Sequence, residues 1–436
     1  MATKTEELQF DAQYIEKYSQ ERNEPQWLTD LRLDALSRVQ ELPMPKPEKT
    51  RIVGWNFTDF EHQVETSSLR SVDDLPDHIK SLVGQGDTSG NLLVHHNGQS
   101  TIQTLSEDLK NKGVIFTDFA TAVQEHGDLI KKYLFSEAIN YDEDRLIALH
   151  AALINGGTFL YVPRNVNVEV PLQSLYYQDS ANAGFINHVI VIAEESSSVT
   201  YVENYLSEQQ EGSAVANMVT EVYVGANAKV EFGAVDNLSS DVTTYVNRRA
   251  YVSRDGQIEW AIGHLNNGHT ISENYTALVG DGSIGHTKAV SIANNDQKQN
   301  FTNNVKHFGK ASESNLLIHG VQKEAANSIF NGITKIEHGA SKAYGDQTQR
   351  VLMLSEKARG DANPILLIDE DDVEAGHAAS VGRIDPVQLY YLMSRGISRT
   401  EAERLIIHGF LAPVVNQLPI DEVKEQLVEV VEGKVN

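Results

Sequence analysis

Over the first 155 residues, apolar positions recur mostly at helical spacing. In EPQWLTDLRLDALSRVQELPMPKPEK, Trp27, Leu28, Leu31, Ala35, Leu36 and Val39 fall three or four apart and line one helix face, with Pro25 suited to the first turn. Pro43, Pro45 and Pro47 end that pattern, because proline lacks a backbone N–H and biases the preceding residue towards extended geometry. Between about 90 and 155 a strand-like run, NLLVHH, precedes helical stretches such as DEDRLIALHAALI. Residues 1–154 therefore read as a mainly helical N-terminal domain.

Near residue 155 the period changes from that of a helix to that of a strand. AKVEF sets Ala228, Val230 and Phe232 against Lys229 and Glu231; QIEWAI sets Ile258, Trp260 and Ile262 against Gln257, Glu259 and Ala261. Gly225, Gly256, Gly282 and Gly309 follow one another at 31, 26 and 27 residues, each near such a run. A loose repeat of this kind suits stacked β-coils, in which each rung buries its apolar face only against its neighbours. The reading is a mainly β chain with a solenoid over 155–375; a β-sandwich is the competing architecture.

Helical punctuation returns over 376–436. Asp385 and Pro386 form a cap and first position, Gly396 closes that helix, and Ser398 with Glu401 opens a second that carries Ala402, Leu405 and Ile406 and is limited by Gly409 and Pro413. In DEVKEQLVEVVEG, Val423, Leu427, Val430 and Val431 make one stripe, which has to dock on the solenoid or on a partner.

Charge and composition narrow the chemistry. Sixty-one acidic against 36 basic residues give a net charge of −25, which repels phosphate backbones and argues against nucleic-acid binding. No apolar run is long enough for a membrane span and no leader pattern opens the chain, so a cytoplasmic location is expected. With no cysteine, any metal chemistry must use nitrogen and oxygen ligands.

Few motifs stand out. GDGSIG, with Gly280, Gly282 and Gly285, has dinucleotide-loop spacing but continues as strand, so it reads as a turn; Walker A, HExxH and GxSxG patterns do not occur. Asp369, Glu370, Asp371 and Asp372 suit a solvated turn or a calcium site. His264, His286, His307, His319 and His338 read as rung or surface residues, whereas His377, between Gly376 and Ala378, lies where β texture gives way to helix.

The stretch PILLIDEDDVEAGHAASVGRIDPVQLYYLMSRGISRTEAERLIIHGFL resembles the carboxy-terminal signature of the SufB and SufD family of iron–sulfur cluster assembly proteins, and LPMPKPEKTRIVGWNFTDF is similar to a segment near that family's amino end. The cysteine-free chain looks more like the SufD branch. Ala378 replaces the family's more usual glycine, and Ala375 stands where some relatives have cysteine.

The resemblance implies a right-handed parallel β-helix flanked by helical domains and a non-enzymatic scaffold role. It implies pairing with a SufB-like subunit at the last rungs and with a SufC-like ABC ATPase through a C-terminal region holding Tyr390, Leu392, Arg395, Gly396, Leu405 and Phe410. It also implies a transient iron–sulfur cluster built with the SufB-like subunit, none held stably by the isolated chain, with His377 as an iron ligand; Asp371 and Asp372 are candidates to orient the imidazole. Alternatives are a β-helix polysaccharide lyase using the acidic run and a purely structural, self-associating solenoid; an isolated homodimer is compatible with the same rungs.

Overall fold

The computed structural model describes residues 8–64, 69–80, 90–417 and 421–435. Two sheets face each other across one core, and from residue 156 onwards the chain passes from one to the other strand by strand, adding one parallel strand to each per turn. The ten-stranded sheet runs from Glu374–Arg383 at one edge to the hairpin Leu92–His96 and Gln99–Thr104 at the other. Its nine-stranded partner runs from Arg359–Ile368 to Ile115–Asp118. The protein is a mainly β parallel solenoid with helices at both ends of the chain.

The repeat read from glycines is a register repeat. Tyr201, Phe232, Trp260, Thr287, Leu316, Gln347 and His377 are successive partners in the ten-stranded sheet. Side chains alternate along each strand, so this column faces the interior, where Tyr201, Phe232 and Trp260 belong to the main core. Interior polar groups are paired in places: buried Arg248 bridges Glu203 (2.9 Å) and Asp236 (2.7 Å).

One turn per rung is built on a left-handed residue. Ser196, Asn227, Asp255, Gly282, Ala311 and Lys342 all have φ between 52° and 68°. Each donates its N–H to a carbonyl of the next rung, as Asn227 does to Arg254 and Ala311 to Ser341. GDGSIG is thus a rung turn, with Gly282 supplying the positive φ.

Helices cover both outer faces. Leu28 and Ala35 of Gln26–Val39, with Ile147 and Leu149 of Arg145–Leu153, pack on Ile190 and Val219 of the nine-stranded sheet. Ile407 and Leu411 of Arg399–Val415, with Leu427 of Asp421–Val435, pack on Val235 and Val290 of the ten-stranded sheet. Because both faces are covered, all eleven residues of Ala214–Val224 are buried.

A buried relay ties the N-terminal layer to the sheet. Asn217 O accepts from His150 Nδ1 (3.1 Å), so neutral His150 accepts at Nε2 from His188 Nδ1 (3.0 Å). His188 Nε2 in turn faces Glu221 Oε1 at 3.0 Å, and the carboxyl must supply the shared proton. Burial raises the Glu221 carboxyl to about 8 and lowers His188 to about 3, consistent with that placement.

Three elements differ from the sequence reading. Leu92–His96 pairs in parallel with Leu172–Gln178, and Ile115–Asp118 pairs antiparallel with Gly156–Val162, so the N-terminal segment contributes strands that start both sheets. At the other end, Glu374–Arg383 crosses the expected boundary at 375 and the helices begin at Pro386; its small residues, AGHAAS, carry no hydrophobic alternation. Gly409 and Pro413 do not limit the second C-terminal helix, which runs Arg399–Val415. Proline there crowds the carbonyl of residue 409, where the absence of a side chain lets the backbone adjust, and packing by Ile407, Leu411 and Val414 holds the helix.

Candidate functional site

Among the described residues both sheets end, on the C-terminal side, in a strand with a neighbour on one side only: Arg359–Ile368 and Glu374–Arg383. Glu374 donates to Ala343 O and Ile384 to Met353 O, so even-numbered residues of the last strand point into the existing ladder. Odd-numbered residues, including His377, Ala379 and Val381, therefore aim N–H and C=O at the open side. Exposed apolar side chains flank them, among them Ile365, Leu367, Ile368 and Val381.

His377 is exposed on this edge strand, paired in register with Gln347. It is the outermost member of the inward-facing column and stands at the mouth of the solenoid interior. Beneath it, buried Gln347 donates its amide to Thr334 Oγ1 (3.3 Å) and Ile365 O (2.9 Å), while its Oε1 has no partner. The site thus offers one solvent-accessible imidazole over a polar shelf. Among the described residues no cluster of three or more His, Asp or Glu is arranged to hold a metal ion. Any cluster at His377 would need its other ligands from elsewhere.

Asp371 and Asp372 are not brought to the imidazole. They are exposed in the turn before the last strand, and the three steps from Glu374 to His377 alone span about 10 Å at the usual rise of ~3.3 Å per residue. The acidic run serves the rung turns: Asp369 pairs with Lys335 (2.7 Å) and Glu370 accepts from Gly339 N (2.8 Å). Closer to the site is Asp346, whose Oδ1 would lie 3.2 Å from a Cβ at Gly376.

The sequence reading also missed a ladder at the companion edge. Asn363 donates to Asn331 (3.0 Å), Asn331 to Asn300 (3.3 Å), and Lys49 Nζ reaches Asn363 Oδ1 (2.7 Å). Asparagine recurring at 300, 331 and 363 was the available signal.

Of the six residues of the expected ATPase-contacting region, Tyr390 (72% exposed) and Leu405 (42%) face solvent. Leu392 is half-buried, exposed Arg395 lies 5.1 Å from the Tyr391 ring, and Gly396 takes φ 89° just past the helix Pro386–Ser394. Phe410 is engaged within the chain: its ring stacks on His319 at 4.8 Å and its carbonyl accepts from His319 Nδ1 (2.7 Å). The exposed face of the first helix consists of Val387, Tyr390, Tyr391 and Met393.

His264, His286, His307 and His338 are rung or surface residues. His307 bonds Ser312 and Ser314 at 2.8 Å each, His264 stacks on Phe301, and His286 bonds Glu259 (2.9 Å). His338 is exposed, 3.7 Å from Glu370.

Among the described residues no helix is long and apolar enough to cross a membrane. Residues 176–410 match the family model described as the SUF system FeS cluster assembly SufBD core domain, and residues 8–174 match the SufBD protein N-terminal region. Over 430 residues the chain is 58% identical to the iron–sulfur cluster assembly protein SufD of Bacillus subtilis, covering 98% of each. A SufBD family iron–sulfur cluster assembly protein of Staphylococcus aureus is 30% identical over 423 residues, 93% of this chain and 89% of that protein. With matches that span the solenoid, the N-terminal layer and the open edge alike, the chain belongs to the SufBD family of iron–sulfur cluster assembly proteins.

Proposed function

We propose that this chain is a non-catalytic scaffold subunit of an iron–sulfur cluster assembly complex. It docks a SufB-like subunit by continuing both sheets across the open edge, and His377 supplies one nitrogen ligand to the nascent cluster at that junction. The observation that carries the reading is the pair of free parallel edge strands with an exposed imidazole at the mouth between them. Main-chain pairing provides affinity and register, as in other strand additions. A lone neutral imidazole is a weaker iron ligand than a thiolate, which suits a cargo that must leave. The apolar face of Val387, Tyr390, Tyr391 and Met393 is the surface assigned to a SufC-like ATPase.

Co-expression with SufB-like and SufC-like subunits tests this. Wild type is expected to co-purify as one complex with iron and sulfide. His377→Ala should keep the complex but lose iron and sulfide. Ala379→Pro removes one outward N–H without touching the existing ladder and should release the SufB-like subunit. Full iron content in the first variant removes His377 from the mechanism; an intact complex in the second overturns the edge-docking geometry. In the isolated chain the same edge is expected to pair a second copy, read as a dimer that Ala379→Pro dissolves.

A further inference from the structure

The two open strands differ in what their main chains can donate. In Arg359–Ile368, Arg359 donates to Ala326 O, and Asp369 just past the strand donates to Ile336 O, both at 2.9 Å. Odd-numbered residues therefore pair with the existing ladder, and Gly360, Ala362, Pro364, Leu366 and Ile368 turn their main chain to the open side. Pro364 is the middle one of the five and has no N–H to offer. On Glu374–Arg383 the open positions are Ala375, His377, Ala379, Val381 and Arg383, and all of them carry one. Around the proline, Ile365, Leu367 and Ile368 are 36% to 46% exposed. The strand thus keeps an apolar surface while its row of donors is broken at the centre. Proline on the open side of an edge strand is a barrier to strand pairing.

We propose that Pro364 makes this edge selective for an unlike partner. Any strand docked on it leaves one carbonyl facing the missing N–H, and an unmet carbonyl at an interface weakens association roughly tenfold. In a two-fold pair of copies each chain brings its own Pro364, whichever strands meet, so the penalty falls twice. A SufB-like strand with an N–H at each open position meets it once. The occupant this edge fits is a proline-free edge strand of a different chain, seated against Ile365, Leu367 and Ile368. Such selectivity rests on the edge docking assigned to the SufB-like subunit.

Two constants of the full chain test it: self-dimerisation by sedimentation equilibrium, and binding of the SufB-like subunit by titration. Pro364→Ala should tighten the second roughly tenfold and the first roughly a hundredfold, bringing a dimer into range even if the wild type sediments as a monomer. Ala362→Pro breaks the row a second time without touching the existing ladder. It should loosen the dimer roughly a hundredfold and the SufB-like complex roughly tenfold. Dimerisation that changes no more than SufB-like binding in either variant overturns the proposal, as does a Pro364→Ala chain that stays monomeric. Ala379→Pro, on the other open strand, separates the two readings. If it leaves both constants unchanged, edge docking fails and the selectivity with it; if it weakens both while Pro364→Ala moves neither, only the selectivity falls.

Discussion

The two ends of the solenoid solve the same problem in opposite ways. A stack of parallel strands leaves a row of unpaired N–H and C=O groups wherever it stops, and such edges invite association. At the start, each sheet instead ends in an antiparallel strand, the largely buried Ile115–Asp118 on one and the mostly exposed Gln99–Thr104 on the other. At the finish, among the described residues, no strand lies beyond Arg359–Ile368 and Glu374–Arg383; eight of the ten residues of Glu374–Arg383 are exposed, whereas six of the ten of Arg359–Ile368 are buried or half-buried and Lys49 reaches its Asn363. A solenoid that reverses strand direction at one end and stops on parallel strands at the other has unlike ends. Closed and open ends should therefore respond differently to the same kind of substitution.

Glycine gives the largest contrast. Gly157, at the closed end, has φ 140°, and a Cβ there would lie 1.8 Å from His188 O. Gly382, on the last strand, has nothing within 4 Å of the same atom. Gly157→Ala is expected to destabilise by on the order of 5 kcal/mol, because both backbone strain and a main-chain clash must be relieved. Gly382→Ala should stay within about 0.5 kcal/mol. Denaturant midpoints of the two variants measure the difference; equal midpoints would erase the distinction between the ends.

Proton linkage should follow the same division. Glu221 is raised to about 8 in the folded chain, so its contribution to stability is complete below the ordinary carboxylate range and is lost as pH rises towards 8. His188 runs the other way: lowered to about 3, it contributes stability above the ordinary imidazole range that is lost as pH falls. Glu221→Gln isolates the first term. Its amide can donate to His188, but then sets N–H against Phe135 N–H, which the carboxyl oxygen accepts at 2.8 Å in the wild type. The variant should start about 1–2 kcal/mol less stable at pH 5. Between about pH 4.5 and 8 wild type should then lose up to about 1 kcal/mol per unit relative to it. Parallel stability curves for the two proteins would place the proton elsewhere. Val381→Ala, at the open end, should leave that slope unchanged.

How legible all this was depends on whether a residue's environment repeats. Val230, Phe232, Ile258, Trp260 and Ile262 alternate because rungs lie on both sides of them, and the core holds them as the pattern required. The last strand carries AGHAAS for the opposite reason: among the described residues no rung lies beyond it to demand an apolar column, and only family resemblance gave His377 a ligand's role. Phe410 illustrates a different limit. An aromatic on an amphipathic helix looks the same whether it meets a partner or the chain's own sheet, and here it meets His319. Asp371 and Asp372 were near His377 in sequence but lie before a strand, where each residue advances the chain too far for contact. The break that Pro364 makes in the open edge was invisible because only strand register decides which side of a strand a main-chain group faces.

The smallest expected effect lies in the turns, and it depends on which residue holds the left-handed position. Asn227 and Asp255 are residue types that tolerate positive φ; Ser196, nearer the closed end, and Ala311 and Lys342, nearer the open end, are not. A non-glycine residue of that second kind carries about 1–2 kcal/mol of local strain. Glycine relieves it, but enlarges the conformational entropy of the unfolded chain, which returns part of the gain. Lys342→Gly is therefore expected to stabilise by about 0.5–1 kcal/mol, and Asn227→Gly by nothing measurable. Lys342 is exposed and bonds its neighbour rung through its backbone N–H to Asp372 O, a contact that glycine keeps. Denaturant unfolding of the two variants side by side checks that difference. A gain at Asn227 as large as that at Lys342 would mean that the turn column is uniformly strained.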